Sequence, residues 1–249
     1  MTIRRAEWLA YVNRMSAIDR RAAEIMQQYI ERYGLSGTEE LIAQAYAVAT
    51  RYGEASAALA CEMYDAVSAA SAAGTAAAEP AETASMDEVA KAVNGTLAKS
   101  QNTEMISASI ERLVKLAGAD TILQNARRDG AQFAWVPNGD TCAFCLTLAS
   151  NGWQPAKKGT DKAGHALHIH ANCDCTYAVR FDGKSTVEGY DPERYREIYD
   201  YAEGSTPQEK INAMRREFYA RDKAEINAQK RSAYAKRREL ERANSDELS

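Results

Sequence analysis

The chain has 249 residues, 45% of them hydrophobic and 27% charged, with 31 Lys+Arg against 35 Asp+Glu for a net charge of -4. This is the composition of a foldable protein long enough for one large or two small domains with real cores. The mild acidity excludes a nucleic-acid binder held by bulk positive charge. No apolar run approaches the roughly 20 residues that span a bilayer, and the opening MTIRRAEWLAYVNR puts charges where a secretory leader has its apolar stretch, so synthesis in the cytoplasm is expected.

Over residues 4–33, Trp8, Val12, Met15, Ile18, Ala22, Met26 and Ile30 recur at three- and four-residue steps, which predicts a long amphipathic helix. Gly34 to Gly37 break it. Thr38 is placed to cap a second helix with Leu41, Ile42, Ala45, Val48, Tyr52, Ala55, Leu59 and Met63 as its buried stripe, packed antiparallel on the first. Residues 68–85 are almost all small and offer little apolar area against the entropy of ordering them, so a fraying helix end and an Ala-rich linker are expected. Ser85 and Glu88 then have capping-box spacing before a helix carrying Val89, Val93 and Leu97. Two further helices are predicted over 103–117 and 120–129.

The helical period stops at Gly130. Phe133, Trp135 and Val136 before Pro137 and Asn138-Gly139 predict a short strand and a tight turn, and residues 176–181 predict a closing strand before the Asp182-Gly183 turn. The last segment is helical again. Residues 206–249 hold eleven Lys+Arg and eight Asp+Glu, a local +3 that leaves -7 for the rest, with few large apolar side chains. The expected fold class is mainly α with a small α+β zinc-binding module. Its parts are an N-terminal helical hairpin (1–67), a linker (68–85), a helical region (86–130), the module (131–183) and a basic helical extension (184–249).

Of five cysteines, Cys61 stands alone on a helix and reads as a small hydrophobe; Cys142, Cys145, Cys173 and Cys175 share one short region. An odd count argues against a disulfide framework. All three histidines, His165, His168 and His170, fall between the two cysteine pairs. Thiolates and imidazoles at such spacing, brought together by a glycine-containing loop, suit one tetrahedral zinc ion and disfavour hard cations. Six candidates compete for four positions: Cys142, Cys145, His170 and Cys173 come first, Cys175 next and His168 last. A site closed by four protein ligands is structural, since catalysis needs an open coordination position. The His-x-Glu pattern of zinc deaminases is missing, because Ala171-Asn172 follow His170. Trp8, Trp135 and Trp153 read as core anchors.

Arg128-Asp129, then WVPNGDTCAFCLTLASNG from Trp135 to Gly152, then His170-Ala-Asn-Cys173-Asp-Cys175, resemble the phage minor head proteins of the Mu F-like head morphogenesis family. The motif covers about residues 128–181; relatives often have Arg where Asn151 stands. The resemblance implies a non-catalytic virion component, close to the portal of a tailed-phage head and acting in head assembly or DNA packaging and delivery. Its implied partners are the portal or major capsid protein, with the basic tail as the candidate for contact with packaged DNA. The alternatives are a metal-dependent nuclease with His168 or His170 as base, and an adaptor that touches DNA through its tail.

Overall fold

The computed structural model describes residues 2–35, 37–99, 103–138, 141–157 and 174–246. In chain order its elements are β1 (Thr2–Ile3), α1 (Arg5–Tyr33), α2 (Thr38–Ala70), α3 (Met86–Leu97), α4 (Thr103–Arg128), β2 (Gln132–Val136), α5 (Ala143–Ala149), β3 (Gln154–Pro155), β4 (Thr176–Arg180), β5 (Thr186–Val187), α6 (Pro192–Tyr201) and α7 (Pro207–Asp246). The fold is mainly helical, with two small sheets.

α1 ends where Gly34 takes φ +73° and turns its amide onto the Ile30 carbonyl at 2.8 Å. The cap of α2 differs from the sequence expectation. Gly37 holds the cap position and Thr38 is already helical, so Glu39 and Glu40 complement the helix start in place of a hydroxyl. The buried stripe of α2 also drifts: Ala55 is exposed, while Ser56, Ala60, Tyr64 and Val67 are buried. α2 packs against α1, α3 and α4, so no single stripe describes it. The capping box of α3 forms as expected, with the Glu88 amide on Ser85 Oγ at 3.3 Å and the Ser85 amide on Glu88 Oε2 at 2.9 Å.

α4 is one continuous helix where two were expected, because Gly118 sits inside it as a close-packing residue. A Cβ there would stand 2.5 Å from Met15 Cε of α1 and 2.6 Å from Ser56 Oγ of α2. Gly118→Leu is therefore expected to lower stability by about 3 kcal/mol through overpacking. Urea unfolding is the check, and a change under about 1 kcal/mol would contradict the close approach.

Residues 71–85, expected as a linker, run as irregular chain fastened to α4 by hydrogen bonds. Asn125 clamps Glu79, its Oδ1 accepting the Glu79 amide at 2.9 Å and its Nδ2 donating to the Glu79 carbonyl at 2.8 Å. Thr121 Oγ1 accepts the Ala81 amide at 3.0 Å, and the Arg128 guanidinium donates to the Ala76 and Ala77 carbonyls at 3.0 Å each. On the α2 side, Asp65 Oδ1 accepts the Ala78 amide at 2.8 Å. Order here comes from satisfied backbone groups, a source that a count of apolar area misses.

β2 is the centre of a three-stranded antiparallel sheet, β3-β2-β4, in which Trp135 faces Tyr177 and Phe133 faces Val179. Both faces are buried. Phe133, Trp135, Tyr177 and Val179 join Tyr64 of α2 and Ile122 of α4 in one cluster; Ala134, Val136 and Ala178 join Trp8 and Val12 of α1 in another. The Tyr177 ring meets Phe133 and Trp135 edge-on, at centroid distances of 5.4 and 4.8 Å. β1 pairs in parallel with β5 and ties the start of the chain to residues 186–187, a contact too short to leave a periodic trace.

Candidate functional site

Cys142 and Cys145 lie on the first turn of α5. Cys142 is its N-cap residue, exposed, with Sγ accepting the Cys145 amide at 3.4 Å. Cys145 points inward, 1% exposed, in the cluster of Trp135 and Tyr177.

Cys175 enters the same buried cluster as Cys145. Buried just before β4, it lines a cavity of about 20 Å³ with Val12, Asp19, Lys115, Trp135 and Asp174. Among the described residues no group of three or more His, Cys, Asp or Glu side chains is arranged to hold a metal. The expected zinc-binding module is thus unsupported by them. His168, His170 and Cys173 lie outside the described residues. The donors in view that suit a borderline-soft ion are the thiols of Cys142 and Cys145, one helical turn apart, and of Cys175.

The same interface holds a buried polar cluster that the sequence reading missed. Lys115 Nζ lies 3.1 Å from Glu111 Oε1 on α4, both side chains under 10% exposed. Asp19 of α1, 3% exposed, faces them with Oδ1 unpaired by any hydrogen bond, and Ser16 Oγ donates to Asp174 Oδ1 at 2.6 Å. Burial pushes the Asp19 carboxyl up to about 8. Lys115 counters that, while Glu111 and Asp174 add to it. The signal was there: Ser16 and Asp19 interrupt the inward stripe of α1, and Glu111 and Lys115 share one face of a helix with apolar residues all round.

The sign of the pH dependence follows. The folded state keeps the Asp19 proton that the unfolded chain releases near pH 4, so this contribution is whole below about pH 4 and declines as pH rises through about 8. Asp19→Asn mimics the protonated form. It is expected to flatten that decline and to exceed the parent's stability by a few kcal/mol, order of magnitude, at pH 8. Denaturant melts from pH 4 to 9 check this; parallel curves for parent and variant would refute it.

α5 also has a second face. Ala143 and Leu146 pack with Ile211 and Met214 of α7, with Tyr195, Tyr199 and Phe218 around them. Its far end is held by Tyr190 Oη, which donates to the Ala149 carbonyl at 2.9 Å. α7 itself is capped by Thr206, whose Oγ1 accepts the Glu209 amide at 3.2 Å. Past Phe218 its described side chains are mostly exposed. A separate apolar groove of about 640 Å³ opens between α1 and α2, floored by Trp8, Leu59 and Met63 and bridged by Arg14 and Glu62 at 3.0 Å.

No helix among the described residues is long and apolar enough to cross a membrane. A family model described as VG15 protein matches residues 2–202. No curated protein and no solved structure matches the chain.

Proposed function

The chain belongs to the VG15 family, a family of viral proteins, and from that premise we propose that it is a structural minor head protein of a tailed bacteriophage. In this reading it sits in the virion head near the portal, is made in the host cytoplasm, and acts in head assembly or in packaging and delivering DNA. The observation that carries the reading is the family match, which spans the helical body, the sheet and α5. The architecture suits it. α1, α2 and α4 form a body sharing cores with the sheet, and α7 runs on for 28 residues past Phe218, the last of its described side chains that packs in a core cluster, about 40 Å at 1.5 Å per residue. That length gives a reach for portal or capsid protein, and its basic balance suits packaged DNA.

The role is structural, with one zinc ion held by Cys142 and Cys145 and completed by His170 and Cys173. Bound there, zinc would supply folding energy to the segment around α5. Cys142 and Cys145 would hold it from the first turn of α5, where the Cys145 amide donates to the Cys142 sulfur.

The test is mass spectrometry of purified proheads and mature particles, with a phage lacking this gene. The chain is expected in both kinds of particle at a few copies relative to major capsid protein, and its loss is expected to block infectious heads. Absence from both particles would reject the reading. DNA cleavage by the purified protein that His168→Ala abolishes would put a nuclease in its place.

A further inference from the structure

Two buried polar atoms have no hydrogen-bond partner among the described residues: Asp19 Oδ1 on α1 and Trp135 Nε1 on β2, each on a side chain 3% exposed. A polar atom in that state bears the full cost of leaving water, so each calls for a partner. One place serves both. Asp19 and Trp135 line the same cavity of about 20 Å³, at the junction of α1, α4 and the sheet. That is room for one water molecule and little more. The neighbouring polar side chains are engaged with one another: Ser16 Oγ donates to Asp174 Oδ1 at 2.6 Å, and Lys115 Nζ lies 3.1 Å from Glu111 Oε1.

The chemistry of the wall selects the occupant. An indole N–H only donates, so its partner must accept, which a metal ion or an ammonium ion cannot do. An anion would lie beside the carboxyls of Asp19 and Asp174 and has no proton to give Asp19 when that group is ionised. Water both gives and takes. It satisfies the indole in either case, donates to an ionised Asp19 and accepts from a protonated one, the form its raised pKa favours below about 8.

We infer that one ordered water molecule is held in this cavity, accepting the Trp135 indole N–H and hydrogen-bonded to Asp19 Oδ1, and so bridges α1 to the central strand of the sheet. Neither the family match nor a metal enters this. The bridge joins the helical body to the sheet through a polar contact inside an otherwise apolar junction, and its geometry depends on residues from three elements: Asp19 of α1, Lys115 of α4 and Trp135 of β2.

A crystal structure of the full-length chain is the direct test, with nitrogen-edited NOE and ROE spectra of the tryptophan-labelled protein beside it in solution. The expected density is one oxygen-sized peak within about 2.7–3.2 Å of both Trp135 Nε1 and Asp19 Oδ1. In solution the Trp135 indole proton is expected to show a cross-peak to long-lived water. That cross-peak should persist in Ser16→Ala and Thr176→Val, which remove the hydroxyls lining the cavity, and in Asp19→Asn, which keeps a hydrogen-bonding group. It should be lost in Asp19→Leu, which removes the second anchor. A direct bond from Trp135 Nε1 to a protein group, with no density between it and Asp19, overturns the inference. So does a peak about 2.0–2.6 Å from carboxylate oxygens, which marks a cation, or one with the scattering of chloride. A cross-peak that vanishes with either hydroxyl, or survives Asp19→Leu undiminished, also overturns it.

Discussion

Lys115→Met is expected to cost about 3–5 kcal/mol, the range for removing one partner of a buried ion pair. Lys115 is the ammonium that Glu111 and Asp19 face inside the α1–α4 interface. Without it, the buried Glu111 carboxylate loses the ammonium 3.1 Å away. Removing both partners is different. Glu111→Leu with Lys115→Met exchanges the pair for apolar groups of similar volume, and most of the lost stability should return. Urea unfolding of the parent, the two single variants and the double variant forms a complete cycle. A Lys115→Met cost below about 1 kcal/mol, or a double variant no better than the worse single, would show that the pair is not the buried, coupled unit described here.

The second large effect concerns Cys142, where the sign of the change discriminates. Cys142 is exposed and caps α5, and serine is a strong N-cap residue. If packing and capping were its only role, Cys142→Ser would be neutral or stabilising by up to about 1 kcal/mol. As a zinc ligand it carries part of a term on the order of 10 kcal/mol, and Cys142→Ser should lose bound zinc and expose residues 141–157 to proteolysis. The measurement is zinc per chain, with limited proteolysis of parent and variant. A variant as resistant as the parent, with no zinc in either, would remove the metal from the account.

Much of the helical body was legible because its elements bury one face: the stripe from Trp8 to Ile30 and the Ser85–Glu88 box announce α1 and α3 almost to the residue. The two principal strands were legible too, since aromatic and β-branched residues cluster between turn formers in both. α4 was not, for the opposite reason: it is covered by α1, α2, α3 and the sheet, so its pattern has no single apolar side and Gly118 reads as a break. α5 escaped notice because attention to Cys-x-x-Cys spacing hid a helix of seven residues, and its N-cap is a cysteine. At the candidate site, residue types pointed to metal chemistry around Cys142 and Cys145. The inward turn of Cys175 depends on how β4 enters the α1–α4 interface, which spacing along the chain does not encode. Asp19, Glu111 and Lys115 come together only through the packing of two helices 92 positions apart in the chain.

The fastening of residues 76–81 divides the burden of specificity unevenly. α4 supplies side chains, Thr121, Asn125 and Arg128, while the strap supplies mostly amides and carbonyls that every residue except proline owns in full. Mutational tolerance should follow the same division: exchanges among small residues at Ala76, Ala77 and Ala81 leave the recognised groups in place, whereas Asn125 has no substitute that both gives and receives at Glu79 with the same reach. Proline at 78, 79 or 81 would delete a recognised amide outright. Pro80 occupies the one position between Ala78 and Ala81 whose amide is not among these contacts. A stretch that looks featureless by composition is thus written in backbone, with its key kept on the neighbouring helix.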